Sequence, residues 1–250
     1  MAVKIGAAAG RPFVPFRVFI QLDGPIYTNG IYPITLDSIL TNLAARRHCS
    51  GYYDNTDIVD IEIPLKQSGR EKKYYHASIM LYSRVSFYKE PIRMKMNAYI
   101  DAPKELIYST DPLFEKYHKK ERLDNRSGPY KSRDERLLGI IAPTVNFFGC
   151  GDIEWVSEIM QDLTSLGKKA PRNVRKITVE PEEHDYSVFM NDILMRPVPA
   201  SEVFADNQKN KCFQMLAGYK PPYWLEENRT ICHMPDPRLW IERMDWFERS

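Results

Sequence analysis

The chain has 250 residues, 43% hydrophobic and 27% charged, with 35 cations against 33 anions for a net charge of +2. A chain of this size and composition buries a substantial core in one large or two small globular domains. No window approaches the eighteen or so uncharged apolar residues of a membrane span, and the opening MAVKIGAAAGRPF is too short an apolar run for a secretory signal, so a cytoplasmic protein without a membrane partner is expected.

Residues 13–22, FVPFRVFIQL, alternate, with Val14, Phe16, Val18, Ile20 and Leu22 on one side, and predict a half-buried strand. After a turn-rich loop, TLDSILTNLAARRH puts Leu36, Ile39, Leu40, Leu43 and Ala44 at helical spacing, with Thr35 as N-cap and Asp37 in the first turn. Two strand-like runs, 57–65 and 74–82, flank KQSGREKK, which reads as a basic hairpin loop, and a further alternating run covers 92–100. Residues 101–136 are polar and charged, an excursion from the core. A strand over 137–148 is broken near Pro143. Asp152 then caps a helix whose apolar stripe runs Ile153, Val156, Ile159, Met160, Leu163, Leu166, with Gly167 as its terminating residue. VRKITVE gives another strand. Residues 1–180 therefore read as a pair of β-α-β units, an α+β ferredoxin-like core with an insertion, and the Pro- and aromatic-rich 181–250 as an extension wrapped on it.

Cys49, Cys150, Cys212 and Cys232 are far apart with no CxxC pair, so thiols in or near the core are expected in place of a zinc site or a disulfide frame. Gly149-Cys150-Gly151 has Glu154 where a dinucleotide fingerprint needs glycine, and Gly167-Lys168-Lys169 lacks the Ser or Thr of a P-loop. No cofactor or metal is implied. The connection LGKKAPRNVRK is the informative stretch: Lys168 and Lys169 suit a helix end, but Arg172, Arg175 and Lys176 continue into the next strand. Beside Arg46, Arg47 and His48 at the end of the other helix, they would make a track for RNA phosphates. An enzymatic alternative uses His48 as acid or base, assisted by Tyr74, Tyr75 or a lysine, in a metal-independent endoribonuclease. A third reading is a protein-only scaffold docking through PPYW and RLWIERMDWF.

TLDSILTNLAARR, FFGCGDIEWVSEIMQDLTSLGKK, YSVFMNDILMRPVPA and GYKPPYW resemble segments of the type IV subunit of the RAMP superfamily that holds the 5′ end of a CRISPR guide RNA. The resemblance implies a ferredoxin-like (RRM-like) RAMP core, a thumb-like hairpin at the 101–136 insertion with Lys131 and Arg133 beside the guide, and no catalysis. It implies that Lys168, Lys169 and Arg172 meet phosphates of the crRNA 5′ handle. The implied partners are the repeated backbone subunit and the large subunit of the effector complex, with target DNA near the flanking motif and a recruited helicase also in reach. Where that family carries further glycines after the Gly-Lys-Lys step, this chain has Ala170-Pro171-Arg172-Asn173, so binding by long side chains is expected.

Overall fold

The computed structural model describes residues 2–4, 11–28, 34–48, 60–83, 86–94, 133–167, 172–191, 193–202, 213–223 and 225–235, some of them by backbone alone. From the N-terminus the elements are β1 (Ala2–Lys4), β2 (Val14–Leu22), β3 (Ile26–Thr28) and α1 (Leu36–His48). The short strands β4 (Asp60–Glu62), β5 (Gln67–Ser68), β6 (Tyr74–Tyr75) and β7 (Leu81–Tyr82) precede β8 (Ser86–Met94), β9 (Arg133–Ile141) and β10 (Thr144–Gly151). Helix α2 (Ile153–Met160) and β11 (Val174–Pro181) follow. Last come β12 (Phe189–Met190), β13 (Ile193–Leu194), β14 (Val198–Pro199), β15 (Phe213–Gly218) and β16 (Arg229–Met234). The protein is α+β, mostly antiparallel sheet with two α-helices among the described residues. None of those helices is long and apolar enough to cross a membrane.

The chain divides into two compact units, one of Met1–Ser86 with Ile140–Ser250 and one of Phe87–Gly139. In the smaller unit β8 and β9 are neighbours in one sheet. Most of the 101–136 insertion, Lys131 included, lies outside the described residues, as do 95–100 of the expected strand.

The larger unit is organised by a four-stranded sheet in the order β11-β2-β10-β7. Every pairing in it is antiparallel, with Phe147 opposite Val18, Ile177 opposite Ile20 and Val145 opposite Tyr82. Alternation along β2 works as the pattern predicts: Phe16, Val18 and Ile20 are fully buried, while Arg17, Phe19 and Gln21 on the opposite face are half-buried. Helix α1 lies between β2 and β7 in the chain and α2 between β10 and β11; α1 packs against β10 and α2, and α2 against β2 and β11. Leu36, Leu40, Leu43 and Ala44 of α1 and Val156, Ile159 and Met160 of α2 fill the layer between.

Two expectations about the helix ends are corrected. Asp152 does cap α2, accepting from the Trp155 amide at 3.1 Å, but the helix stops at Met160, short of Gly167. The run Asp162-Leu163-Thr164-Ser165 has weak helix propensity, and Leu166 is held instead by a side chain from across the loop. Thr35 precedes α1 but gives its hydroxyl to Tyr223, 3.1 Å away, rather than to the helix.

Residues beyond β11 pack on this sheet. Tyr74 clusters with Val188, Leu194, Val198, Ala217, Tyr219, Cys232 and Met234, and Ile79, Leu81 and Phe148 cluster with Met190, Ile193 and Met195. Between the clusters sits a buried ion pair. Arg196 and Asp37, both with 0% side-chain exposure, meet at 3.2 Å. The guanidinium also donates to the carbonyls of Tyr75, Ala77 (3.3 Å) and Tyr219 (2.6 Å), and Tyr223 donates its hydroxyl to the Asp37 carboxylate at 2.7 Å. Desolvation disfavours the Arg196 charge, but the Asp37 carboxylate overcomes it and raises the guanidinium above its ordinary value.

Candidate functional site

The end of α1 and the segment after α2 come together. A cleft of about 370 Å³ is lined on one side by Ser38, Asn42 and Arg46 of α1 and on the other by Asp162, Thr164 and Gly167. Arg46 is exposed at its rim. Arg47 turns the other way: its guanidinium donates to Glu158 at 2.7 Å and to Asp162 at 2.9 Å, tying the two helices. The hydrogen bond it donates to Asp162 raises the Arg47 pKa further, so Arg47 stays a structural cation. His48 is the last residue of α1, and its side chain lies outside the described set. The same holds for the side chain of Arg133 at the start of β9, and for Lys131, Lys168 and Lys169 altogether.

What the structure adds is the frame around the basic loop. Gly167 has φ +104°, and a Cβ there would stand 2.9 Å from Ile26 Cγ2 and from the Tyr27 backbone, so only glycine passes this point so close to β3. Across the loop, Asn173 is 1% exposed. Its Oδ1 accepts from the Leu166 amide at 2.8 Å, and its Nδ2 donates to the carbonyls of Leu166 and Pro25, each at 2.9 Å. One side chain thus clamps the two ends of the loop that carries Lys168, Lys169 and Arg172.

Arg172 is exposed at the clamp. Beyond it, β11 pairs Val174 with Leu22 and then Lys176 with Gln21, leaving Arg175 as the extra residue of a bulge. Strict alternation would send Arg175 and Lys176 to opposite faces of the sheet; the bulge leaves both exposed. Arg175 makes an ion pair with Asp23 at 3.7 Å between side chains that are 69% and 60% exposed, a weak tie in water. The exposed cations therefore sit on a fixed frame: one helix end, one clamped loop and one bulged strand start. Such an array is suited to a polyanion, because it offers several positive charges at set positions.

Sequence reasoning identified the cations but missed Asn173 as their clamp, since a buried asparagine leaves no periodic signal. It also missed Arg196. The one available hint was an arginine inside the apolar run ILMRPV.

The family model described as CRISPR type IV associated protein Csf3 matches residues 14–235, and the chain belongs to that family. It is therefore a component of a type IV CRISPR complex. No curated protein matches the chain. Three of the segments quoted above for the family resemblance contribute Asp37, Arg196, and Tyr219 with Tyr223, which all meet at the buried ion pair.

Proposed function

We propose that the chain is the crRNA-binding subunit, non-catalytic toward the guide, that caps a type IV CRISPR ribonucleoprotein, holding the 5′ handle of the guide on a ferredoxin-like RAMP core for DNA interference. Numbering the strands of the main sheet by their place in the β-α-β units, the order β11-β2-β10-β7 is 4-1-3-2, with a helix inside each unit, which supports that core. The observation that carries the RNA reading is the convergence of Arg46, the clamped loop bearing Lys168, Lys169 and Arg172, and the bulge at Arg175. These side chains take phosphates, while sequence is left to base pairing by the guide. Arg47 supports the track from behind, Lys131 and Arg133 belong to the thumb-like insertion, and His48 joins the RNA contact at the helix end without chemistry. In this reading the backbone and large subunits, target DNA near the flanking motif and a recruited helicase assemble around the cap in the cytoplasm.

The test is a salt titration of the purified chain with labelled repeat RNA in the absence of metal. Wild type binds, weakens with salt and leaves the RNA intact. Replacing Lys168, Lys169 and Arg172 with alanine flattens the slope of log K against log salt by about 0.7 per lost phosphate contact, about 2 for the three. An unchanged slope removes these residues from the site. Cleavage that disappears in His48→Ala makes the chain a processing nuclease instead.

A further inference from the structure

Beside the hairpin of β5 and β6, away from the cationic edge, Ser68 of β5, His76 just past β6 and Asp185 from the segment after β11 stand in a row. Ser68 Oγ lies 2.6 Å from His76 Nε2, and His76 Nδ1 lies 2.6 Å from Asp185 Oδ2. Asp185 is held in turn by the hydroxyl of Ser187 and by its amide at 3.2 Å, and Lys66 Nζ stands 3.4 Å from the same carboxylate. Burial alone would raise the Asp185 pKa, but the hydrogen bonds from His76 and Ser187 outweigh it and keep the carboxyl well below the usual carboxylate range. An ionised carboxylate can only accept, so Nδ1 carries the proton, and in the neutral imidazole Nε2 presents its lone pair to the Ser68 hydroxyl.

We infer that Ser68, His76 and Asp185 form a hydrolytic site, separate from the RNA surface, with Ser68 as nucleophile toward carboxylic esters that carry a negative charge. The roles follow from geometry: nucleophile bonded to base, base bonded to orienting group. A second feature points the same way. Gly69, at φ +108°, turns the chain so that the Arg70 amide, two residues past Ser68, donates to both oxygens of the Glu202 carboxylate at 3.1 and 3.2 Å. The loop beside the nucleophile thus already accepts an anion on its backbone, as an oxyanion site must. Arg70 and Lys73 are exposed on the same loop and make no ion pair among the described residues, which gives the preference for an anionic ester.

The chemistry balances without an outside oxidant or reductant. Ser68 Oγ bonds to the acyl carbon as its proton passes to His76 Nε2. The acyl carbon–oxygen bond then breaks, and the leaving alcohol takes that proton. Water next attacks the acyl-serine, losing a proton to Nε2, and Ser68 leaves with the proton returned. Asp185 acts throughout as a positioning residue for the imidazole.

The test uses the intact chain with a fluorophosphonate probe, read by intact mass and peptide mapping, with circular dichroism to score folding. The expected result is one adduct on Ser68 of the folded protein, absent after heat denaturation and absent in Ser68→Ala. Asp185→Asn should slow labelling by about 10³-fold or more while keeping its fold, because the wrong tautomer then faces Ser68. Glu202→Ala should speed it by freeing the Arg70 amide. No adduct on folded wild type overturns the proposal, as does labelling at an undiminished rate in His76→Gln.

Discussion

Asn173→Ala removes one side chain and three hydrogen bonds, at 2.8, 2.9 and 2.9 Å, from a site 1% exposed. At a net value of about 1 kcal/mol each the loss is about 3 kcal/mol, and the Leu166 amide stranded in the interior takes it to about 4 kcal/mol. For a chain of this size that lowers Tm by about 10 °C. The measurement is urea unfolding followed by far-UV circular dichroism, paired with the RNA salt titration. The clamp makes a sharper statement about binding than about stability. With Asn173 gone the cations remain, so the salt slope is unchanged, yet RNA affinity falls because the loop must be ordered on binding. Asn173→Asp separates geometry from volume: it keeps the acceptor for the Leu166 amide but turns a second oxygen toward the carbonyls of Leu166 and Pro25. At neutral pH it is therefore at least as destabilising as alanine, and its penalty shrinks as pH falls toward about 4, where a protonated carboxyl can donate again. Stability within about 1 kcal/mol of wild type for Asn173→Ala, or a flattened salt slope, refutes the reasoning.

Asp37→Ala strands the Arg196 guanidinium at 0% exposure and is expected to cost about 3–5 kcal/mol, whereas Asp37→Leu combined with Arg196→Met recovers most of the loss; denaturant midpoints of the three proteins decide it. Asp185 has a folded pKa below its unfolded one, so its contribution is complete above the ordinary carboxylate value of about 4 and is lost as pH falls through the lowered value. The stability gap between wild type and Asp185→Asn should therefore narrow between pH 5 and pH 3, and a gap that stays constant across that window contradicts the assignment.

The elements with a single clear period were legible in the sequence. Strand β2 and helix α1 fall within a residue of the alternating and helical runs that announce them, and the break between β9 and β10 comes at Pro143. A hairpin does form at KQSGREKK, but its first strand, β5, lies inside the expected loop, and β4 of the run 57–65 pairs with β1 instead. The run 74–82 was legible as extended but not as continuous: only its ends are strand, with isolated bridges at Ala77 and Ile79 between them. Helix α2 was overextended because Leu163 and Leu166 keep the helical spacing although Asn173 holds the chain in another path. Of the site, the charges could be read but their arrangement could not. The Arg47 ion pairs span more than a hundred residues, and the β11 bulge depends on its register with β2, so neither has a local signature.

The main sheet has β11 at one edge, bonded to β2 alone among the described strands, which leaves a row of backbone donors and acceptors facing outward. An open strand of this kind invites the same strand of another copy. Arg172, Arg175 and Lys176 cluster at its beginning, so two copies approaching edge to edge bring like charges together. In the free chain these cations act as a colloidal guard, and once a polyanion neutralises them the covering itself takes over that work. Stripping them in pursuit of a binding defect would also remove what keeps unassembled chains apart, so under the proposed function solubility and nucleic-acid recognition rest on the same few residues.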